Sequence, residues 1–269
     1  MARTRENALF LSVNAQFAGE ISTKVLRAIT ASRFVRGNRL DRQSLIYTAR
    51  RLQDEGFRQR AMALLAAADL SIQGMRVEGQ PMRAQAINAE GKPVEQGIRV
   101  ILPILIKTLH AKFSESKEKV DQVEFDLLQS ESGGTIRFTS LLAPILDALE
   151  RGSVLIVDEI DARMHPLMTR FLVNLFHGPT NPAGAQLIFA THDVNLLSNR
   201  YFRRDQVWFT EKDRYEVTHL YSLAEYSING DKVRKDASFA KDYLLGKFGA
   251  VPFIGDFMIQ GSEANTNAS

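Results

Sequence analysis

The chain has 269 residues, of which 45% are hydrophobic and 24% charged, so it contains enough apolar material for one substantial core or two smaller ones. Its formal net charge of +3 is too small to identify a nucleic-acid-binding protein, although it permits one. The absence of cysteine excludes a disulfide framework and a thiolate metal site, and it fits a cytoplasmic location. No apolar run is long enough to span a membrane, so we expect no membrane association.

The first part of the chain, residues 1–118, is predicted to form a helical lid or insertion region with short strands. Helix-favouring composition covers residues 22–34 and 44–68, and Gly56 interrupts the second stretch. Near the end of this region, two runs separated by charged residues predict a hairpin, 105–113 and 123–128.

The second part, residues 119–255, alternates between helical and strand patterns, which predicts an α/β fold with a parallel sheet. The predicted elements, in chain order, are helix 138–150, strand 154–157, helix 166–176, strand 186–190, strand 206–211 and strand 216–222. Residues 256–269 are predicted to form a flexible tail.

Two adjacent carboxylates, Asp158 and Glu159, directly follow the apolar run 154–157. This pattern predicts a buried parallel strand that delivers both side chains to the carboxyl edge of a sheet, where α/β ligand sites form. It is the Walker B arrangement, in which Asp158 holds Mg²⁺ and Glu159 orients and deprotonates a water that attacks a γ-phosphate. The alternative is that the two acids only cap a core strand.

A histidine ends the next predicted strand, at Thr191-His192. At a sheet edge beside such a site, the His192 ring is placed to hydrogen-bond the γ-phosphate or the attacking water, as a switch histidine does. The alternative is a surface histidine whose hydrogen bonds are satisfied elsewhere.

A glycine turn, Ser132-Gly133-Gly134-Thr135, opens the predicted helix 138–150. It offers hydroxyls and backbone N–H groups to an anion, and the helix dipole reinforces that attraction, so it predicts a phosphate contact. The alternative is an ordinary glycine turn with Thr135 as the N-cap. A glycine turn, a strand ending in Asp-Glu and a strand ending in His form the ordered C-terminal series of an ABC-type nucleotide-binding domain.

In these segments the chain resembles a known family, the bacterial ABC-type ATP-binding proteins of the AAA group. That family is related to the overcoming-lysogenization-defect ATPases and to the ATPase heads of chromosome-maintenance proteins. Four segments carry the resemblance: 131–137, 157–166, 184–193 and 203–212. It implies the C-terminal part of an ABC-type P-loop NTPase fold, with ATP and Mg²⁺ as cofactors. It also places His165-Pro166 in the D-loop region, which crosses the dimer interface.

The resemblance implies an ATP hydrolase that clamps nucleotide between two protomers, often driving a nuclease or acting in phage defence. Catalytic roles then belong to Glu159 and His192, and Asp158 is the metal ligand. The turn residues Ser132, Gly133, Gly134 and Thr135 are presented to nucleotide held by a second subunit. The implied partners are a second copy of the chain or a Walker A-bearing subunit, together with a nuclease or nucleic acid.

One departure from the family concerns the phosphate cradle. An ABC-type site requires G-x-x-x-x-G-K-[ST], whose N–H groups and lysine hold the phosphates, and this sequence contains no such motif. We therefore expect these residues to be the C-terminal portion of a longer or split ATPase. The alternative function is a non-catalytic partner or regulatory module that retains the fold and the interface but not turnover.

Overall fold

The computed structural model describes residues 20–37, 41–68, 70–79, 86–87, 93–94, 105–228, 231–232 and 238–251. The chain divides into two compact units, Met1–His192 and Asp193–Ser269, and the predicted domain boundary at 118 stays a prediction. The predicted tail, 256–269, lies outside the described residues. In the described ranges, no helix combines the length and apolar character needed to cross a membrane.

Seven α-helices lie in the described ranges: α1 Glu20–Ala31, α2 Arg42–Arg51, α3 Glu55–Ala67, α4 Leu127–Ser130, α5 Gly133–Arg151, α6 Pro166–Leu175 and α7 Phe239–Leu244. The strands are β1 Arg33–Val35, β2 Ile72–Glu78, β3 Ala86–Ile87, β4 Pro93–Val94, β5 Leu105–Phe113, β6 Lys119–Asp126, β7 Val154–Val157, β8 Gln186–Phe189, β9 Trp208–Lys212, β10 Thr218–Ser222, β11 Ser227–Ile228 and β12 Asp231–Lys232. Two 3₁₀ helices, Val194–Leu196 and Arg204–Gln206, precede β9.

A parallel sheet of order β1-β7-β8 forms the centre of the first unit. The predicted strands at 154–157 and 186–190 are confirmed, and they give the chain the predicted α/β class. The predicted helix at 22–34 ends earlier, at Ala31, because residues 33–35 form β1 and pair with 155–157 of β7. Phe34 and Val35 favour a strand, and the distant partner strand decides their conformation.

Helix α5 packs against the strands β1 and β7 and against the helices α2 and α3. Leu141, Leu142 and Ile145 of this helix are buried. The predicted helix at 44–68 is divided into α2 and α3, because Asp54 caps a new helix by accepting a hydrogen bond from the Phe57 N–H at 2.7 Å. The role of these helices as a lid stays a prediction.

An antiparallel sheet of order β2-β5-β6 completes the first unit, and α4 contacts its strands β5 and β6. The predicted hairpin corresponds to β5 and β6, whose pairing runs from Lys107 opposite Asp126 to Phe113 opposite Lys119. The chain passes from β6 through α4 directly to the turn that begins α5.

The second unit contains the antiparallel pair β9 and β10, close to the predicted strands 206–211 and 216–222. Its core consists of four buried residues: Phe209, Leu223, Phe239 and Phe248. The Tyr221 hydroxyl donates a hydrogen bond to the Phe248 carbonyl at 2.6 Å, which joins β10 to the segment after α7.

Candidate functional site

The Asp158–Glu159 turn directly follows β7, the middle strand of the parallel sheet. Both neighbouring strands hold its backbone: the Asp158 N–H donates to Val35 O at 2.9 Å, and the Ile160 N–H donates to Ala190 O at 3.0 Å. Ligand sites of α/β proteins lie beyond the carboxyl ends of parallel strands. The two carboxylates therefore lie at the edge of the sheet where the sequence predicts them, while their chemical roles stay predictions.

Glu159 has an uncommon backbone conformation, with a φ of 45°. A residue with a Cβ atom is strained at such an angle by about 1–3 kcal/mol, and strain of this kind clusters at functional sites. Gly37 packs against the same turn: a Cβ atom added there would lie 2.2 Å from Asp158 O and 2.3 Å from Glu159 Cβ. Only glycine permits this approach, so the segment after β1 helps to fix the turn.

Arg137, on α5, contacts the turn from within the core and is only 6% exposed. Its Nη1 donates to Arg36 O at 2.8 Å, and its Nη2 donates to Asp158 O at 3.3 Å and to Glu159 O at 3.4 Å. Burial lowers the pKa of this guanidinium. Four carboxylates oppose that shift: Asp41, Glu159, Asp158 and Asp161. A buried cation thus joins α5 to the turn that carries the candidate base.

Ser132 is the N-cap of α5, and its Oγ accepts a hydrogen bond from the Thr135 N–H at 3.1 Å. The alternative that made Thr135 the N-cap is therefore wrong about the capping residue. Thr135 is buried and its hydroxyl lies 2.9 Å from Ser132 Oγ, whereas Ser132 is exposed. The N–H groups of the first helical turn have no acceptor within the helix, which makes this terminus suited to an anion.

The glycines of this turn pack against the loop after Glu159. A Cβ atom added at Gly134 would lie 2.9 Å from Arg163 O, and one added at Gly133 would lie 3.3 Å from Arg163 Cδ. Position 134 therefore requires glycine because the Arg163 backbone approaches it closely. The φ of Gly134 is not in the left-handed region, so backbone conformation is not the reason. The exposed Arg163 side chain adds a cation beside the turn.

The end of β8 is tied to the loop after β7 by Asp161. The Thr191 hydroxyl donates to Asp161 Oδ1 at 2.7 Å, and the His192 N–H donates to the same oxygen at 3.4 Å. His192 itself is exposed, and it follows the strand that pairs with β7. The structure thus brings His192 and the two carboxylates to one edge of the sheet.

His165 and Pro166, predicted in the D-loop region, begin α6. His165 is the N-cap, and its Nδ1 accepts a hydrogen bond from the Leu167 N–H at 3.2 Å. Pro166 occupies the first helical turn, where its missing N–H costs nothing. Their place at a dimer interface stays a prediction.

The described residues contain no group of three or more His, Cys, Asp or Glu side chains that could hold a metal ion by themselves. Mg²⁺ at phosphate sites takes one or two carboxylates and otherwise uses phosphate oxygens and water. A single carboxylate at Asp158 fits that pattern, so its role as metal ligand stays a prediction.

Three further residues of the site were given no role from the sequence: Gly37, Arg137 and Arg163. Arg137 and Arg163 lie in the segments 131–137 and 157–166 that carry the family resemblance. Arg137 had the clearest signal, because it is a charged residue that directly precedes a mostly apolar helical stretch, 138–145. Its position three residues after Gly134 also places it near the same face of the helix. Gly37 and Arg163 gave no local signal, since only tertiary contacts identify them.

The family described as "AAA domain, putative AbiEii toxin, Type IV TA system" matches residues 26–198, which include β1, α5, β7, β8 and the predicted site. No curated protein sequence matches this chain. Together with the parallel sheet, the family match supports an ATPase-type domain, compatible with a P-loop NTPase fold that uses ATP and Mg²⁺. Because the match covers more than half of the chain, the protein belongs to this AAA-domain family.

Proposed function

We propose that this chain supplies the Walker B and signature parts of an ABC-type ATPase site, in which ATP is clamped between two subunits and hydrolysed. The proposal depends mainly on one observation: Arg137, near the beginning of α5, donates hydrogen bonds to the main-chain carbonyls of Asp158 and Glu159. A helix N-terminus suited to phosphate and a carboxylate pair suited to Mg²⁺ and water thus belong to one hydrogen-bonded arrangement.

Glu159 is the general base in this proposal. It accepts the proton of the water that attacks the γ-phosphate, and a carboxylate is able to orient such a water before the proton moves. Its backbone is held by the bond from the Ile160 N–H to Ala190 O and by the packing of Gly37. A fixed backbone supports this role, because a carboxylate that is already oriented toward the water needs little movement before it accepts the proton.

Asp158 is the proposed holder of Mg²⁺, directly or through water, since carboxylate oxygen is the ligand type that this cation prefers. When bound, the ion neutralises charge that develops on the phosphate oxygens. The bond from the Asp158 N–H to Val35 O fixes the direction from which this carboxylate leaves the sheet.

His192 is the proposed sensor of the γ-phosphate. Its backbone bond to Asp161, together with the bond from the Thr191 hydroxyl, keeps the end of β8 beside the loop that follows Glu159. The exposed ring is accessible to a ligand at this edge. An imidazole N–H donating to a phosphate oxygen is a charge-assisted hydrogen bond of the stronger kind.

The turn that begins α5 is proposed to contact nucleotide held by a second subunit. Ser132 and the N–H groups of Gly133 and Gly134 make this contact, and the buried Thr135 orients Ser132 through their hydrogen bonds. The exposed Arg163 adds positive charge at the same place. The second subunit is another copy of the chain or a Walker A-bearing subunit. A role in phage defence, with a nuclease or nucleic acid as further partner, is part of this proposal.

A second candidate function is a partner that keeps the fold and interface but does not hydrolyse ATP. The observation that favours it is the sequence itself, which contains no G-x-x-x-x-G-K-[ST] motif. Turnover in an assembly that is supplied with this motif discriminates the two functions.

Replacing Glu159 by glutamine tests the proposal. In an assembly of this chain with a Walker A motif, supplied by a partner subunit or by a longer chain, Glu159→Gln should abolish ATP hydrolysis and preserve ATP binding. The amide keeps the shape of the side chain but cannot accept the proton, and loss of a general base costs about 10²–10⁴-fold in rate. Steady-state phosphate release and equilibrium nucleotide binding measure the two effects.

The matched control is Glu115→Gln, which makes the same chemical change in the exposed loop between β5 and β6. Its turnover should equal that of the unsubstituted protein. If Glu159→Gln also hydrolysed ATP at the unsubstituted rate, Glu159 would be a structural residue and the base would lie elsewhere.

A further inference from the structure

Arg137 is a buried cation without a carboxylate in direct contact. Within the described part of the chain it forms no ion pair at 4.0 Å or closer, and its guanidinium donates only to main-chain carbonyls. Burying an arginine in this way is costly. Its buried neighbours on α5 are apolar at Phe138 and Leu141 and uncharged but polar at Thr139 and Ser140. An apolar side chain would fill the same place without that cost, so the three hydrogen bonds of the guanidinium are the feature that an apolar residue would lack.

The hydrogen bonds of Arg137 explain the backbone of residue 159. Successive carbonyls point to opposite sides along a strand. Here the carbonyls of Asp158 and Glu159, which flank the φ and ψ angles of Glu159, both lie within 3.4 Å of the same Nη2 atom. One donor therefore holds two successive carbonyls together where the φ of Glu159 is 45°.

The start of α5 supports both ends of the loop that carries the base. Arg137 bonds to the loop at Asp158 and Glu159, and Gly134, one turn earlier, packs against Arg163 O. The third acceptor, Arg36 O, belongs to the segment that leaves β1. The guanidinium thus connects three segments that are far apart in the sequence.

We infer that Arg137 is a positioning residue: it holds residue 159 in its left-handed conformation and thereby aims the Glu159 carboxylate. The inference rests on the proposed function for what the carboxylate does, but the geometry stands on the hydrogen bonds alone. Lysine keeps the charge yet has no planar fork with which to bridge carbonyls on two segments, so Arg137→Lys removes the positioning and little else.

Amide hydrogen exchange of this chain, without nucleotide, tests the geometry. Two N–H groups report on the turn: Ile160, which donates to Ala190 O, and Ala162, which donates to Glu159 O. In Arg137→Lys both should exchange faster by about tenfold, while amides within β7 change by less than about twofold. Arg151→Lys, the same change at an exposed site in the last turn of α5, is the control and should leave all of these amides unchanged.

A second variant keeps the test decisive if lysine prevents folding. Arg137→Gln removes the buried charge together with its desolvation cost, and it should give the same local loss of protection. Unchanged protection at Ile160 and Ala162, or an equal loss throughout α5 and β7, would overturn the inference, because Arg137 would then contribute packing alone.

Steady-state kinetics of the ATP-hydrolysing assembly test whether Arg137 orients the Glu159 carboxylate. Arg137→Lys should lower kcat about hundredfold and change KM less than about threefold, because a misplaced base affects chemistry rather than binding. In a Glu159→Gln background the same substitution should have no further effect on turnover. A loss confined to KM, or an additive loss, contradicts the inference. If the unsubstituted assembly does not hydrolyse ATP, the proposed function fails, and hydrogen exchange alone decides the geometry.

Discussion

At the scale of single residues, Glu159 combines a proposed chemical role with a strained backbone. The sequence predicts the carboxylate because an apolar run leads directly into it. It does not predict the φ of 45°, because that angle results from contacts with Gly37 and Arg137, which lie far away in the chain. A single sequence thus predicts the candidate reacting group and leaves its direction to tertiary structure.

The strain at residue 159 can be measured by comparing two truncations of the same side chain. Glu159→Gly should be more stable than Glu159→Ala by about 1 kcal/mol, because glycine tolerates a positive φ and alanine does not. Urea denaturation of both variants gives the difference in the free energy of unfolding.

The control pair is Gln59→Gly and Gln59→Ala, at an exposed position inside α3. There the order should reverse, with alanine the more stable by about 1 kcal/mol, because glycine is unfavourable in a helix interior. The account of the turn is contradicted if alanine is also the more stable residue at position 159.

The turn at the start of α5 was predictable from its residue pattern in one respect and not in another. Ser132-Gly-Gly-Thr135 predicts a helix beginning that is suited to phosphate, and the structure has α5 begin there with Ser132 as its N-cap. The pattern does not reveal how closely Gly134 packs against the next loop: a Cβ atom added at Gly134 would lie 2.9 Å from Arg163 O. A bulky residue at Gly134 would therefore disturb its own chain, so a test of nucleotide contact is better made at Ser132.

At the scale of elements, β1 forms where the sequence predicts the end of a helix, 22–34. It has three residues and begins two positions after α1 ends, so neither its length nor a turn signal marks it. Its partner β7 lies more than a hundred residues away, and local periodicity carries no information on such a pairing. By contrast, the apolar runs of β7 and β8 allowed both strands to be predicted to within one residue. Helix α5 was predicted at 138–150 and begins earlier, at Gly133, because Ser132 caps it and the glycine turn forms its first turn.

Close packing between the end of β1 and the Asp158–Glu159 turn predicts an intolerance to any side chain at Gly37. Gly37→Ala should lower the free energy of unfolding by about 1–3 kcal/mol, because the added Cβ meets backbone atoms that cannot rotate away. Thermal or urea denaturation measures the loss.

Gly56→Ala is the matched control for that substitution. The added Cβ atom at Gly56 would lie 3.6 Å from its nearest neighbour, an ordinary contact, and the residue is inside α3. Alanine there should stabilise the protein by up to about 1 kcal/mol. Equal effects of the two substitutions would mean that β1 does not approach the turn as described.

Helix α2, which lies in the region predicted to be a lid, is bonded to α5. Tyr47 and Arg51 of α2 both bond to the carboxylate of Asp147 on α5, with Arg51 Nη2 at 3.0 Å from Asp147 Oδ1. Burial raises the pKa of Asp147, and the positive charge of Arg151 opposes that shift. Asp147 is buried and Arg51 is partly exposed, and the two bonds attach α2 to α5 within the packed unit.

At the scale of the whole molecule, the α/β class and the order of the site segments were predictable, whereas the predicted domain boundaries stay predictions. Local apolar patterns specify the strands that end in Asp158 and near His192, and their order along the chain indicates a nucleotide site. The compact units divide at 192, because β1 and the helices α2 and α3 pack with the sheet and α5. Such long-range packing depends on contacts that composition does not encode.

The central claim is that the start of α5 contacts nucleotide that is held by another subunit. A matched pair of substitutions at Ser132 tests it, since aspartate and asparagine are both good N-caps and should leave the beginning of α5 intact. They differ in one negative charge, placed where the phosphate is proposed to lie. Like charges at an interface disfavour association by several kcal/mol.

The measurement is the mass of the assembly with and without Mg-ATP, by analytical ultracentrifugation, in a Walker A-containing assembly that carries Glu159→Gln to prevent hydrolysis. The account predicts that Ser132→Asn associates on addition of ATP as the parent does, and that Ser132→Asp weakens ATP-dependent association at least about hundredfold. Equal association of the two variants, or no dependence of the parent on ATP, would contradict the clamp and leave residues 132–135 as an ordinary helix cap.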